Sequence, residues 1–201
     1  MSNCAICFDL DGTLTTTEIL PCIAAELGVA GEIATLTRLT MTGKILFEDS
    51  MRLRTLILGQ VPLTRVHEVL ISIPVAGVLL DFIQQNTDRC FVVTGNLDIW
   101  IAPLIQRIGC GVFSSSAKLV DGMVRLESIL SKDKAVDALR TSGRFDRIVA
   151  VGDGANDVAM LNAADLGIAY GGVHAPAASA ILAADMVVHD AGTLCKILKA
   201  L

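Results

Sequence analysis

The sequence predicts an α/β protein with a Rossmann-like parallel sheet, helices on both faces, and a small helical cap inserted after the first strand. Over residues 74–201, short apolar segments rich in strand-forming residues alternate with segments of helical spacing, as in a parallel sheet with crossover helices. Residues 15–73 differ, because their pattern is helical throughout. The predicted domains are a catalytic core of residues 1–14 and 74–201 and a cap of residues 15–73.

The first predicted strand, residues 5–10, carries two carboxylates at its end. The segment is apolar and is bounded by the turn residue Gly12. Asp9 and Asp11 are therefore expected at the carboxyl end of a strand, which is where open α/β sheets bind their ligands. Because two nearby aspartates are more often a solvated turn or a helix cap, the meaning of this pair depends on partners elsewhere in the chain.

The remaining elements follow from the spacing of apolar residues. Helices are predicted in the cap at residues 18–27, 30–41, 47–58 and 64–73. Helices are predicted in the core at residues 75–85, 97–108, 132–141, 155–163, 176–183 and 191–200. Strands are predicted at residues 89–94, 112–114, 147–151, 166–169 and 186–189. Asp121 and Gly122, within residues 118–125, have the signature of a tight β-hairpin.

The composition excludes several classes of protein. No apolar run reaches the roughly 18 residues of a membrane-spanning helix, and the N-terminus has no basic segment before an apolar one. The formal charge is −5 and no basic stretch interleaved with aromatic residues suggests nucleic-acid binding. We expect a cytoplasmic protein with a mostly aliphatic core, since 53% of the residues are hydrophobic and only 4% aromatic.

Cys4 and Cys7 have the spacing of a metal or redox pair. Within a strand, however, residues i and i+3 face opposite ways, and neither a second pair nor a nearby histidine completes a zinc site. We predict that these two of the six cysteines are buried, reduced thiols.

Polar residues gather at three of the predicted strand ends. They are Asp9 and Asp11, then Thr94, Gly95 and Asn96, and finally Asp153, Asn156 and Asp157. Because such ends meet at one edge of a parallel sheet, we expect the side chains to converge. Converging carboxylates repel unless a cation lies between them, and oxygen ligands suit Mg²⁺. Thr94 with the amides that follow suits a phosphate, for which Lys132 supplies a positive charge.

Four segments resemble the motifs of the haloacid dehalogenase-like hydrolases. They are residues 8–14 (FDLDGTL), residues 93–95 (VTG), Lys132 and residues 152–157 (GDGAND). Most members of that superfamily are Mg²⁺-dependent phosphatases, and the position of the cap and the last motif are similar to those of phosphoserine phosphatases. The resemblance implies a phosphoric monoester hydrolase that converts O-phosphoserine to serine and phosphate, as in serine biosynthesis.

The resemblance also implies a role for each residue of the site. Asp9 is the expected nucleophile that forms an aspartyl-phosphate, and Asp11 the expected general acid and base. The expected Mg²⁺ ligands are the Asp9 carboxylate, the Asp11 carbonyl and Asp153, with Asp157 just outside them. The expected phosphate-binding residues are Thr94, Gly95, Lys132 and Asn156. The expected contacts to the serine end of the substrate are Glu18, Phe47 and Arg54.

Asn96 departs from the family pattern, because phosphoserine phosphatases usually have a second glycine there. One alternative is therefore the same mechanism on another small phosphorylated metabolite. Another is a phospho-accepting receiver domain, although receivers lack a second aspartate two residues after the first and have no helical insertion. The expected partner is a small phosphomonoester, with no nucleic acid and no membrane, in a monomer or a homodimer.

Overall fold

The computed structural model describes residues 3–41 and 44–201, so that Met1, Ser2, Thr42 and Gly43 of the predicted core and cap lie outside it. Within these residues, seven strands form one sheet in the order β4-β3-β2-β1-β5-β6-β7. The strands are β1 (Cys4–Phe8), β2 (Cys90–Leu97), β3 (Gly111–Val120), β4 (Met123–Ser128), β5 (Arg147–Gly152), β6 (Leu166–Tyr170) and β7 (Met186–Val188). Only the β3–β4 pair is antiparallel. The predicted α/β class is confirmed.

Ten α-helices connect and cover the strands in the described part of the chain. They are α1 (Ile19–Ala25), α2 (Ala30–Met41), α3 (Phe47–Leu58), α4 (Leu63–Ser72), α5 (Gly77–Gln84), α6 (Asp98–Ile108), α7 (Asp133–Thr141), α8 (Val158–Ala163), α9 (Ala178–Ala183) and α10 (Ala191–Ala200). A 3-10 turn, Ala155–Asp157, precedes α8. Among the described residues, no helix combines the length and apolar character needed to cross a bilayer.

The two faces of β1 belong to separate hydrophobic clusters. Cys4 and Phe8 pack on the side covered by α5, α6 and α10, whereas Ala5 and Cys7 pack on the side covered by α7, α8 and α9. This alternation follows from the two-residue period of a strand, and burial on both sides explains why β1 is a continuous apolar run. Both thiols are buried and free, as predicted.

The largest departure from the predicted elements is β3, because residues 112–114 were predicted as a strand and residues 118–125 as a separate hairpin, whereas β3 runs from the first into the second. The strand continues to Val120 because β4 pairs with its second half. The hairpin turn has positive φ at Asp121 (50°) and Gly122 (77°), the backbone that an Asp-Gly type I′ turn requires. The starts of α1 and of α4 to α9 also differ from the predicted starts, by one to three residues. For example, α4 begins at Leu63 without a side-chain cap, and α5 begins at Gly77.

Helices α1 to α4 lie between β1 and β2 in the chain, and hydrogen bonds join the last of them to the core. His67 on α4 donates from Nε2 to the Ile99 carbonyl on α6 at 2.7 Å. Arg107, near the end of α6, donates to the Ile71 carbonyl at 2.8 Å. These contacts cross between elements, so α4 is attached to the core along its length.

The end of α3 is attached to the sheet edge through Gly59. The Val124 amide on β4 donates to the Gly59 carbonyl at 2.8 Å. A Cβ at residue 59 would lie 2.4 Å from the Val124 oxygen, which is far inside van der Waals contact. The close approach of helix and hairpin therefore requires glycine at this position.

Candidate active site

The carboxyl ends of β1, β2 and β5 open into a cavity of about 320 Å³. These three strands are neighbours in the sheet, so their ends bring together the three predicted groups of polar residues. Of the predicted site residues, those lining the cavity are Asp9, Asp11, Glu18, Phe47, Arg54, Thr94, Gly95, Asp153 and Asn156. Lys132 and Asp157 are buried behind this surface, next to Asp9.

A buried ion network links Lys132 to two aspartates. The Lys132 Nζ donates to Asp9 Oδ1 and, at 2.6 Å, to Asp157 Oδ1. Burial by itself would lower the pKa of Lys132, but the carboxylates of Asp157 and Asp9 more than offset it, so the net direction is upward. Lys132 is therefore a fixed positive charge that orients the Asp9 carboxylate.

Asp157 is fully occupied by protein donors. While its Oδ1 accepts from Lys132, its Oδ2 accepts from the amides of Asp153 at 2.9 Å and Gly154 at 2.7 Å. A carboxylate with both oxygens engaged has fewer lone pairs left for a metal ion. The position suits the predicted supporting role better than direct ligation.

Asp153 faces the cavity beside Asp9. Its Oδ1 accepts from the Thr13 hydroxyl at 2.8 Å, and its Oδ2 lies 3.3 Å from His174 Nε2. Burial raises the pKa of Asp153 to about 6, and the charge of Asp157 acts in the same direction. The pKa of Asp9 is also raised, by burial and then by Asp157. The carboxylates therefore repel one another in the absence of further positive charge.

This cluster fits a divalent cation. One oxygen from each of Asp9, Asp153 and Asp157 falls within 4.8 Å of the others. Three carboxylates beside one lysine leave an excess of negative charge, which a hard, oxygen-preferring cation would neutralise. The donor set therefore suits a metal ion such as Mg²⁺ or Ca²⁺.

Asp11 is held by two donors that differ from those of Asp9. Its Oδ1 accepts from the Ile19 amide at 2.8 Å, and its Oδ2 accepts from the Asn96 side chain. Burial raises the pKa of Asp11, while the Ile19 and Asn96 hydrogen bonds act against the rise. Gly12, with φ of +75°, turns the chain directly after the two aspartates. The two aspartates of one strand end thus lie in separate environments.

Phe47 packs over the segment that was predicted to bind phosphate. A Cβ at residue 95 would lie 2.4 Å from Phe47 Cζ, so the ring packs directly on Gly95. Thr94 is buried next to it, with 1% of its surface exposed. The absence of a side chain at Gly95 therefore allows the ring to approach the backbone that was predicted to hold phosphate.

Arg54 and Glu18 offer opposite charges to a ligand. Arg54 is 7% exposed, and its Nη2 donates to Thr37 at 3.2 Å. Its Nε has no hydrogen-bond partner among residues 3–41 and 44–201. Glu18 lies at the exposed mouth of the cavity, where partial burial and the charges of Asp11 and Asp153 raise its pKa to about 7. A buried donor without a partner points to a missing acceptor, such as a ligand carboxylate.

Sequence reasoning missed His174, to which it assigned no function. The residue follows β6 and reaches the cavity, where its ring contacts Asp153 and lies 2.6 Å from the position of a Cβ on Gly12. No motif or spacing marks it, because a loop brings it to the site. Thr13 lies within the quoted segment of residues 8–14 but was given no role, because its hydroxyl pairs with a residue 140 positions away.

A comparison of the sequence with models of known protein families matches a family of hydrolases over the residues of this site. The family model described as haloacid dehalogenase-like hydrolase matches residues 6–162, which include Asp9, Asp11, Thr94, Lys132 and Asp153. The chain belongs to this family. A hydrolase family does not favour the receiver-domain alternative.

Several proteins that are similar in sequence to this chain are named phosphoserine phosphatases. That of Halobacterium salinarum is 34% identical over 81% of this chain and 83% of its own length. That of Mycobacterium tuberculosis is 33% identical over 82% of this chain, which spans only 43% of that longer protein. A solved phosphoserine phosphatase with an analogue of a phospho-aspartyl intermediate superposes with a TM-score of 0.82, at 28% identity, covering 100% of this chain and 99% of the other.

Proposed function

We propose that this hydrolase is a Mg²⁺-dependent phosphatase that cleaves a small phosphomonoester through an aspartyl-phosphate on Asp9, with O-phosphoserine as substrate. The observation that carries the proposal is the buried contact of Lys132 with Asp9 at the floor of a cavity lined by Asp11, Thr94 and Asp153. A nucleophile, a proton carrier, phosphate donors and a cation site are thereby within one small space.

The first half-reaction places different demands on the two aspartates. An Asp9 oxygen attacks phosphorus, the bond from phosphorus to the ester oxygen breaks, and the leaving alkoxide takes a proton from the Asp11 carboxyl group. Thr94, the Gly95 amide and Lys132 hold the transferring phosphoryl oxygens, with Asn156 beside them. Lys132 also orients Asp9 and favours its ionised form, against the opposing effects of burial and Asp157.

The second half-reaction returns both aspartates to their starting state. Asp11, now a carboxylate, takes a proton from water, and the water oxygen attacks phosphorus. The bond from phosphorus to Asp9 breaks, so phosphate leaves and the Asp9 carboxylate is restored. When bound, Mg²⁺ would be held by the Asp9 carboxylate, the Asp11 carbonyl and Asp153, and would neutralise charge on the phosphoryl group.

Adding Mg²⁺ to chelator-treated protein is expected to raise its melting temperature, because the cation relieves carboxylate repulsion only in the folded state. At 100 times the Kd, linkage gives about 2.7 kcal/mol of stabilisation. Asp153→Asn should reduce the shift, and Asp81→Asn, an exposed change on α5, should preserve it. Differential scanning calorimetry would provide the measurement, and a wild-type protein without any shift would contradict the metal site.

The proposal of phosphoserine rests on two charged residues that line the cavity, Arg54 and Glu18. An α-carboxylate suits the guanidinium of Arg54, whose Nε lacks a partner in the described residues, and an α-amino group suits Glu18. Phe47, on the same helix as Arg54, packs on Gly95 of the proposed phosphate-binding segment. Relatives named phosphoserine phosphatase support the same substrate.

Arg54→Ala is expected to lower kcat/KM for phosphoserine roughly 10- to 100-fold, since a charge-assisted hydrogen bond contributes about 1.5–3 kcal/mol. Phosphoethanolamine, which has the amine but no carboxylate, should be hydrolysed equally by variant and wild type. Arg52→Ala removes an exposed guanidinium from the same helix and provides the matched control. Equal losses on both substrates would argue against a carboxylate contact.

A panel of phosphate-release assays decides between the two substrate proposals. It would contain phosphorylated amino acids, sugars and nucleotides, each with and without chelator. Preference for phosphoserine that disappears with chelator is the expected result. Preference for another small phosphate ester would favour the alternative substrate, and release unaffected by chelator would count against the metal.

We further propose that residues 15–73 act as a cap over the core formed by residues 1–14 and 74–201. Phe47 and Arg54, both on α3, would contact substrate from the cap side, so closure would exclude water until Asp9 is phosphorylated. The partner would be a small phosphomonoester of the cytoplasm, turned over by a monomer or a homodimer without nucleic acid or membrane.

A further inference from the structure

Asn96 is a buried polar residue in an irregular part of the cavity wall. It lines the cavity near the end of β2 and is only 4% exposed. The pairing of β2 with β3 shifts register between Thr94 and Leu97, so Asn96 lies in an irregular part of the strand. Such irregularities redirect side chains next to active sites.

The two amide hydrogens of Asn96 are both used, and each goes to a different functional group. The Nδ2 donates to Asp11 Oδ2 and, at 3.2 Å, to Thr94 Oγ1. The backbone amide of Asn96 donates to the same Thr94 oxygen at 3.1 Å. Asn96 is therefore a bridge between the proton carrier and the phosphate-binding hydroxyl.

The bridge fixes the direction in which Thr94 donates. Because the Thr94 oxygen accepts two hydrogen bonds from Asn96, the hydroxyl hydrogen is left to point elsewhere and is available to an anion. On Asp11, the Asn96 amide holds one carboxylate oxygen while the Ile19 amide holds the other. The orientation of the whole carboxyl group is thereby set.

The side-chain oxygen of Asn96 shows which contacts determine the orientation of the amide group. Asn96 Oδ1 is buried and lacks a hydrogen-bond partner in the described part of the chain. A buried acceptor without a partner is unfavourable, and rotating the amide would bring this oxygen against the Asp11 carboxylate. The observed orientation therefore gives hydrogen bonds to Asp11 and Thr94 and leaves Asn96 Oδ1 without one.

We propose that Asn96 is a positioning residue that aligns the Asp11 carboxyl group with the leaving oxygen while directing the Thr94 hydroxyl to the phosphoryl group. This inference rests on the proposed aspartyl-phosphate mechanism. In the step it affects, the bond between Asp9 and phosphorus forms, the bond to the ester oxygen breaks, and that oxygen receives the Asp11 proton.

The leaving group separates the two functions of the bridge. An alkoxide needs the Asp11 proton, whereas 4-nitrophenolate is stable as an anion and leaves without one. Misplacing Asp11 therefore slows the first step for alkyl phosphates only. Misdirecting Thr94 weakens the grip on the phosphoryl group, which is common to both substrates.

The test compares single-turnover rates on two substrates, an alkyl phosphate that the wild type hydrolyses, phosphoserine first, and 4-nitrophenyl phosphate. Asn96→Leu keeps the branching at Cγ but removes both amide hydrogens, and Asn96→Ala checks that result with a smaller side chain. Thr94→Val removes only the hydroxyl. Asn86→Ala deletes an amide distant from the cavity, whose Nδ2 donates to the Phe82 carbonyl, and should leave both rates unchanged.

In the Asn96 variants, the first turnover of the alkyl phosphate is expected to fall about 10²-fold more than that of 4-nitrophenyl phosphate. A burst of nitrophenolate should then precede slow turnover, because hydrolysis of the aspartyl-phosphate still needs Asp11. In Thr94→Val, both rates should fall by the same factor.

Equal losses on the two substrates in the Asn96 variants, or no loss on either, would overturn the positioning role and leave the proposed phosphatase intact. A wild-type protein that releases neither nitrophenolate nor phosphate would instead refute the proposed function, and with it this inference. Melting temperatures confirm that each variant is folded in the assay.

Discussion

Asp9→Asn is expected to reduce phosphate release by roughly 10⁴-fold or more, since loss of a covalent nucleophile removes the route through an intermediate. The replacement keeps the shape of the side chain but cannot form the acyl phosphate. It also removes one negative charge from the crowded group around Asp153 and Asp157, so we expect the protein to remain folded.

The measurement pairs phosphate release with trapping of the phosphorylated protein. Wild-type protein incubated with substrate and quenched in acid should carry one phosphoryl group detectable by mass spectrometry, and Asp9→Asn should carry none. Asp81→Asn makes the same change on the exposed face of α5 and should leave turnover unaltered. Retained turnover in Asp9→Asn would eliminate the covalent mechanism.

Lys132→Met is expected to impair both stability and catalysis. The lysine is 4% exposed and contacts Asp9 and Asp157, so its removal leaves two buried carboxylates without their counter-charge. Breaking a buried pair in this way costs about 3–5 kcal/mol of the free energy of unfolding. Loss of a positive charge next to the transferring oxygens should lower kcat by about 10²–10³-fold.

The stability deficit of Lys132→Met should depend on pH in a defined direction. Burial already raises the pKa of Asp9 above its value in the unfolded chain, and loss of Lys132 raises it further. A carboxyl group with a raised pKa destabilises the fold when ionised, and this penalty disappears as the pH falls through the folded-state pKa.

Urea unfolding of metal-free protein between pH 8 and pH 5 would measure this dependence. The gap between wild type and Lys132→Met should narrow toward the acidic end. Lys134→Met removes an exposed lysine from the same helix and should show a small gap at every pH, because surface ion pairs contribute little. A Lys132→Met gap that is independent of pH would show that packing rather than charge is responsible.

Much of the fold followed from local patterns in the sequence. The alternation of apolar strands and amphipathic helices sets the parallel sheet, and the bounds of α2, α3 and α10 agree with the spacing of their apolar residues. The length of β3 could not be predicted in the same way. The sequence predicted a strand at residues 112–114 and a hairpin at residues 118–125, but not that one strand joins them. Residues 115–117 belong to the strand because β2 and β4 pair with them.

Some residues of the candidate site could likewise be predicted from the sequence, and others could not. Asp9, Thr94 and Asp153 could be placed together because the ends of neighbouring parallel strands must meet. His174 could not, because its approach to Asp153 depends on the path of a loop. The contact of Asn96 with Asp11 likewise depends on side-chain packing, which a sequence pattern does not specify.

Because Gly59 contacts β4, a rotation of α3 about this contact would move the opposite end of the helix. Gly59 caps the end of the helix, and Phe47 begins it, so about 18 Å of rigid helix separates them. Pivoting the helix by about 10° at the Gly59 end would carry Phe47 about 3 Å across Gly95, at 1.5 Å of helix per residue.

Residues outside the cavity, at the end of α3, are therefore expected to affect how a substrate fits inside it. The missing side chain of Gly59 allows the end of α3 to lie within hydrogen-bond distance of the hairpin, so a larger residue there would be expected to change the tilt of α3. Changes at the sheet edge can retune which molecules fit without altering any group that takes part in the chemistry.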